Sequence, residues 1–423
     1  YRLAEVLEAT GRAEAAYAEL SKIPANAELT ERERLYIDGA RVTFTVGRDR
    51  AKSIAVYKTL FDKYPYEMEA GQHLAEAYWN DFQDEAAIDI FRKLAEVHSY
   101  DAAAWMALGE RLLEIGQLED AAEAISRYDA KAPGDPYAAA LLGNLAQLQG
   151  RVAESITHYE KSLELKSDFE IASIGLARSR YLQGEVISAE SILTRVLSNE
   201  EGSPRYRIDA AFDLAGIYRG QGRFDAASDS MQRVEDMIRD EELREPMMLS
   251  TLGRNALDSG NSVPAREFIT KAIEQSKQSL ATPTRYLFAQ GVMHFRLGSI
   301  AGMRTTAKEI RRLATEPNAA DQTEEKAATY LDGLAALAEG DSTTAVSLIE
   351  RAMAMDGYEY AIYAEGLARA RFAAGDLDRA RELAEQAIST RDPGDLRLDL
   401  EYDRAKSELL LAEILLALDR DSE

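Results

Sequence analysis

Apolar residues recur along the chain with the three- and four-residue spacing of amphipathic helices, most clearly between residues 101 and 136. Trp105, Leu108 and Leu112 fall on one stripe of a first helix. A second stripe follows, made of Ala121, Ile125 and Tyr128. Gly116 lies between the stripes, where a helix C-terminus needs a residue that tolerates the left-handed conformation. The segment therefore predicts two short helices joined by a tight turn.

The same two-helix pattern returns from one end of the chain to the other. In residues 1–207 the units recur every 34 residues, with starts near Arg34, Met68, Ala102, Pro136 and Glu170. In residues 208–423 the spacing is 35 to 42 residues, with starts near Ile208, Pro246, Thr284, Lys326 and Ala361. Self-similarity at such a period is typical of solenoids. We predict one continuous solenoid with a regular first part and a looser second part.

The residue types at fixed places in the unit resemble those of the tetratricopeptide repeat. The resemblance rests on positions 4, 7, 8, 20 and 32 of the 34-residue unit, which are Trp105, Leu108, Gly109, Ala121 and Pro133. It implies an all-α, right-handed superhelical solenoid of about eleven antiparallel helix pairs. Small residues such as Gly109 would let the two helices of a pair approach closely. An apolar helix over about Ala405–Leu418 would end the chain without a partner helix.

The sequence lacks the common motifs of catalysis and cofactor binding. There is no GxxxxGK phosphate loop, no GxGxxG and no GxSxG nucleophile turn. The four histidines lie in four different units, and no pair has the spacing of a helical metal motif: His73, His98, His158 and His294. We therefore predict a protein that is not an enzyme and that uses no cofactor and no metal.

Charge and cysteine content narrow the possible partners. The 50 basic and 74 acidic residues give a net charge of −24, which disfavours binding to nucleic acid and to anionic membranes. No apolar run is long enough to cross a membrane. The absence of cysteine suits the cytoplasm and the periplasm equally, so we predict a soluble protein of either compartment. Because the chain starts inside a repeat, we expect it to be a piece of a longer protein.

The resemblance places partner contacts at positions 2, 5, 9 and 12 of each unit, on the concave face formed by the first helices. In the later units these positions carry arginines and aromatic residues: Arg178, Tyr181, Phe212, Arg219, Arg254, Arg285, Phe288 and Phe295. Such a surface suits a peptide or helix with carboxylates and apolar side chains. The subset of the family that binds chaperone C-termini uses lysine and asparagine, of which Asn144 alone matches, so we do not predict that ligand.

Three functional hypotheses follow from these observations. The first is a non-catalytic scaffold that binds a partner peptide or helix in its concave groove. The second is the sensory arm of a bacterial signalling protein, because residues 29–65 resemble arrays that follow Ser/Thr kinase, nucleotide cyclase or winged-helix domains. The third is a periplasmic or outer-membrane assembly factor. In each case the apolar segment Leu409–Leu418 could also mediate self-association.

Overall fold

The computed structural model describes residues 1–9, 13–24, 27–44, 49–81, 83–239, 244–277, 283–314, 322–355, 361–390 and 401–418. Within these ranges the regular structure is helical, without strands. The helices alternate between a first and a second helix of each pair. The first helices are α1 (Arg2–Ala9), α3 (Glu31–Thr43), α5 (Met68–Asn80), α7 (Ala102–Glu114), α9 (Pro136–Leu148), α11 (Glu170–Leu182), α13 (Pro204–Gly220), α16 (Arg244–Asp258), α18 (Pro283–Arg296), α20 (Gln322–Ala338) and α22 (Ala361–Ala373).

The second helices run back along the first ones. They are α2 (Ala13–Ser21), α4 (Arg50–Lys63), α6 (Asp84–Val97), α8 (Leu118–Lys131), α10 (Val152–Leu165), α12 (Val186–Ser198), α14 (Phe224–Gln232), α17 (Ser262–Ser276), α19 (Ile300–Ala314), α21 (Ser342–Met353) and α23 (Leu377–Ser389). Two helices stand outside this alternation, the short α15 (Glu235–Ile238) and the terminal α24 (Glu401–Ala417). The prediction of an all-α solenoid is confirmed.

The turn and the packing inside a pair follow the sequence prediction. Gly116 has a φ of 73°, so its left-handed conformation is confirmed. A Cβ atom added to Gly109 would lie 3.0 Å from the Cγ1 atom of Ile125, which explains why this position is small. Trp105 is buried in the core, and its indole N–H donates to the carbonyl oxygen of Ser99 at 3.2 Å. The close approach of Gly109 to Ile125 packs α7 against α8, and the bond to Ser99 ties Trp105 to the turn before α7.

The described residues form two compact units. Unit 1 holds the residues up to 211 together with 236–239, and unit 2 holds residues 212–235 and those from 244 onward. The division by repeat spacing, at residue 207, stays a prediction. In both units the first helices of neighbouring pairs contact each other, for example α7 with α9 and α16 with α18, whereas the described second helices do so at most marginally. The first helices therefore form the inner, concave side of each unit.

Candidate functional site

The predicted contact residues of unit 1 lie on helix α11. Arg178 and Tyr181 are both half-buried and are three residues apart, so they share one face of this first helix. Burial raises the pKa of the Tyr159 phenol, and the positive charge of Arg178 acts in the opposite direction. Contact of these two side chains with a partner stays a prediction.

Two of the predicted contact residues of unit 2 are not available to a partner. Phe212 and Arg219 on α13 are only 3% and 2% exposed. The reason for the burial of Arg219 is a carboxylate: its Nε donates to Oδ2 of Asp258 at 2.8 Å. Register alone placed Arg219 on the groove, but its partner on α16 draws the guanidinium into the interior. Arg219 is therefore corrected to a buried ion-pair residue, and Phe212 to a core residue.

The other predicted residues of unit 2 lie on α16 and α18. Arg285 is exposed, and Arg254, Phe288 and Phe295 are half-buried. The ring of Phe288 packs on two buried tyrosines, with centroid distances of 5.8 Å to Tyr330 and 6.0 Å to Tyr363. Arg285, Phe288 and Phe295 follow one another at spacings of three and seven residues, which places them on one stripe of α18.

Asp258 is the centre of a buried ionic cluster that the sequence analysis missed. Its side chain is fully buried, and its Oδ1 lies 2.5 Å from Arg296 and 3.7 Å from Lys406. Together with Arg219, three cations from α13, α18 and α24 surround one carboxylate on α16. Such groups are far apart in the sequence, so no local motif points to them. The cluster joins the last helix to the body of unit 2.

The comparisons with known proteins agree on the type of repeat. Three protein-family models match, each described as a tetratricopeptide repeat, over residues 81–145, 137–169 and 330–395. Residues 81–169 and 330–395 of the chain are therefore tetratricopeptide repeats. No curated protein sequence matches the chain.

Several solved structures resemble the chain at low sequence identity. The anaphase-promoting-complex hetero-tetramer Cut9–Hcn1 is 13% identical, with 89% of this chain and 67% of that chain covered and a TM-score of 0.45. A tetratricopeptide repeat protein from Parabacteroides merdae is 17% identical, with coverage of 64% and 98% and a TM-score of 0.43. The type IV pilus biogenesis factor PilW is 19% identical, with coverage of 48% and 90% and a TM-score of 0.38.

Tetratricopeptide repeats indicate a protein–protein interaction scaffold, and proteins of this fold are generally non-catalytic. None of the described helices is long and apolar enough to cross a membrane. On α24, Leu410 and Ile414 are buried in the core of unit 2, whereas Leu409 and Leu416 are more than 60% exposed. Self-association through this helix stays a prediction, and these two leucines are the residues that it would use.

A cluster of possible metal ligands lies between α1 and α5 of the repeat protein. Oxygen and nitrogen atoms of Glu5, Glu69 and His73 lie within 4.8 Å of one another. Arg2 donates to both carboxylates, at 2.9 Å to Glu5 and 2.8 Å to Glu69, and the Tyr1 hydroxyl lies 3.1 Å from the imidazole. Burial alone would raise the pKa of Glu5, but hydrogen bonds from His73, Tyr1 and Arg2 outweigh it and lower the pKa to about 2. The chain's own groups thus satisfy this cluster.

A second arrangement that the sequence analysis passed over lies on the concave face of unit 1. Glu110 on α7 accepts a hydrogen bond from the hydroxyl of Tyr137 on α9. The two residues are positions 9 and 2 of successive units, so their pairing could have been predicted by comparing groove positions of adjacent repeats. Burial raises the pKa of Glu110, and the hydrogen bond from Tyr137 opposes this effect. Glu110 is therefore a carboxylate that is partly withdrawn from water.

Proposed function

We propose that this tetratricopeptide repeat protein is a non-catalytic scaffold that binds a partner peptide or helix along its concave faces. In unit 2, Arg254 and Arg285 bind carboxylates of the partner, and Phe288 and Phe295 contact its apolar side chains. On unit 1, Arg178 binds carboxylates of the partner and Tyr181 contacts its apolar side chains. Guanidinium groups form forked hydrogen bonds with carboxylates, and aromatic residues and arginine are enriched where protein partners meet.

The stripe on α18 carries most of this proposal. Arg285 is exposed at one end of the stripe, and the half-buried Phe288 and Phe295 follow it on the same side of the helix. The contacts of Phe288 with Tyr330 and Tyr363 hold its ring in place before any partner arrives. Because a ring that is already fixed loses little conformational entropy on binding, it is a favourable apolar contact.

The test is selection of peptides from a random displayed library, followed by fluorescence anisotropy with the labelled peptides. We expect the protein to select acidic peptides that contain aromatic or leucine residues. The double variant Arg254→Glu, Arg285→Glu should weaken their binding by about tenfold or more, since each charge-assisted hydrogen bond contributes about 1.5–3 kcal/mol. An unchanged affinity for the acidic peptides would refute the proposed contacts.

A matched control is available on the neighbouring second helix. Arg266 and Lys271 are exposed on α17, so the variant Arg266→Glu, Lys271→Glu changes the net charge of unit 2 by the same amount. We expect it to retain the affinity to within about twofold, because charges away from the contact act mainly through screened, long-range attraction. Equal loss in both variants would mean that net charge, rather than the concave face, determines binding.

The alternatives differ in what accompanies the scaffold rather than in how it binds. A kinase, cyclase or winged-helix domain in the same open reading frame would make the chain the sensory arm of a signalling protein. A signal peptide upstream would favour an assembly factor of the periplasm or outer membrane. Sequencing the full gene distinguishes these cases.

A further inference from the structure

Glu110 is a partly buried carboxylate for which the described chain supplies no cation at ion-pair distance. Its hydrogen-bond partner is the hydroxyl of Tyr137. The adjacent Arg111 points elsewhere: it pairs with Glu114 at 2.6 Å, and its guanidinium lies 5.1 Å from the ring centre of Trp79. A carboxylate in such a place interacts with an incoming cation more strongly than an exposed one does, because less water screens the pair.

Aromatic rings stand beside this carboxylate. Tyr137 lies edge-to-face against Phe169, with a centroid distance of 6.1 Å, so its ring is fixed by packing. Tyr206, at the start of α13, is half-buried, and its phenol lies within electrostatic range of Glu110 and Tyr137. The faces of aromatic rings attract cations, and Tyr is among the effective rings. The carboxylate of Glu110 and the ring of Tyr137, whose hydroxyl is hydrogen-bonded to it, thus combine the two features that bind an ammonium or guanidinium group.

We propose that Glu110, Tyr137 and Tyr206 form a subsite for a lysine or arginine side chain of the partner peptide. The proposal rests on the proposed function, since it requires a peptide on the concave face of unit 1. It gives unit 1 a requirement for a basic residue, separate from the acidic and apolar residues that the arginines and phenylalanines of unit 2 select. Charge complementarity supports this occupant, because Glu110 would repel an anionic group, and a cation in contact with it would add a direct ion pair to the longer-range effects of Arg111 and Arg205.

Arg205, a cation of the chain itself, lies near the subsite, and its removal should strengthen the binding of a basic peptide rather than weaken it. Arg205 is exposed, its guanidinium lies 5.9 Å from the ring centre of Tyr206, and its charge acts on Glu110. The arginine of the chain and the cation of a peptide would compete for the same negative potential. Replacing Arg205 by alanine should therefore strengthen binding of a basic peptide, an effect that a folding defect would not produce.

The experiment uses random dodecapeptides displayed on phage, selected on the full chain, and then synthetic fluorescein-labelled peptides in anisotropy titrations. The affinity of each selected peptide is compared with that of the same peptide in which lysine or arginine is replaced by glutamine, on the wild type and on Glu110→Gln. Glutamine keeps an acceptor for the Tyr137 hydroxyl, so far-UV circular dichroism and the Tm should stay near those of the wild type. Glu119→Gln is the control, because Glu119 is exposed on α8, the second helix of the same pair.

The expected result is coupling between the peptide's cation and Glu110. On the wild type and on Glu119→Gln, loss of the cation should weaken binding by about tenfold or more, whereas on Glu110→Gln it should matter little. An equal effect of the cation on all three proteins, or selected peptides without basic residues, would overturn the subsite and leave the proposed function standing. Failure to select any peptide would overturn both proposals. Weaker binding by the variant Arg254→Glu, Arg285→Glu, together with coupling between the peptide's cation and Glu110 on the wild type, would support both proposals.

Discussion

The buried carboxylate of Asp258 links four helices of unit 2, and its removal should be costly. Its partner Arg219 is itself buried, at a distance of 2.8 Å, and Arg296 and Lys406 approach the other carboxylate oxygen. In Asp258→Ala, buried Arg219 loses this partner, and Arg296 and Lys406 remain around the position of the lost carboxylate. The substitution thus leaves positive charge concentrated in a place with little water.

The size of the effect follows from the burial of the pair. Breaking a buried ion pair by removing one partner typically destabilises a protein by about 3–5 kcal/mol. An exposed pair contributes about 0–1 kcal/mol. The denaturant slope of small proteins is about 1–3 kcal/mol per molar urea, so Asp258→Ala should lower the unfolding midpoint of unit 2 by about 1 M urea or more.

The chain permits a measurement that separates the units. Both tryptophans, Trp79 and Trp105, belong to unit 1, so fluorescence follows that unit, whereas far-UV circular dichroism follows all helices. Since repeats mainly contact their neighbours, we expect Asp258→Ala to lose part of the helical signal at lower urea while the fluorescence midpoint changes little.

Two controls determine whether the reasoning holds. Glu382→Ala removes a partner of the exposed Arg379 on α23. We expect it to change the free energy of unfolding by less than about 0.5 kcal/mol. The double variant Arg219→Leu, Asp258→Leu should recover most of the loss, because replacing a buried pair by apolar residues is often neutral. An Asp258→Ala transition that coincides with the wild type would refute the view that burial makes this pair costly to break.

Two further predictions concern unit 1. Gly175→Ala should lower the stability by about 1–3 kcal/mol in thermal unfolding, because its Cβ would overlap the fully buried ring of Tyr159. In a Tyr159→Leu background the same substitution should lose most of this cost. For Glu5, a folded-state pKa of about 2, below the ordinary value of 4.5, means that its ionised form stabilises the fold above pH 4.5 and less as the pH falls toward 2. The Tm difference between the wild type and Glu5→Gln should therefore shrink over that range, and a constant difference would contradict the assignment.

Much of the fold could be predicted because its determinants repeat at a fixed interval. The period of 34 residues, the left-handed Gly116 and the small Gly109 each follow from local rules on helices, turns and close packing. The site was harder to predict. Register assigned Arg219 to the concave face as it did Arg254, and only the position of Asp258 distinguishes the buried guanidinium from the half-buried one.

The sequence by itself determined the secondary structure, the pairing of helices and the type of repeat, because these depend on residues close together within one repeat or in the next. The tertiary structure decided which side chains remain available to a partner. Asp258 and Arg219 are 39 residues apart, and Lys406 belongs to the last helix, yet they share one buried cluster. Glu110 received its tyrosine from the following repeat. Such contacts depend on how successive pairs stack, and the stacking results from packing across the whole unit rather than from any single repeat.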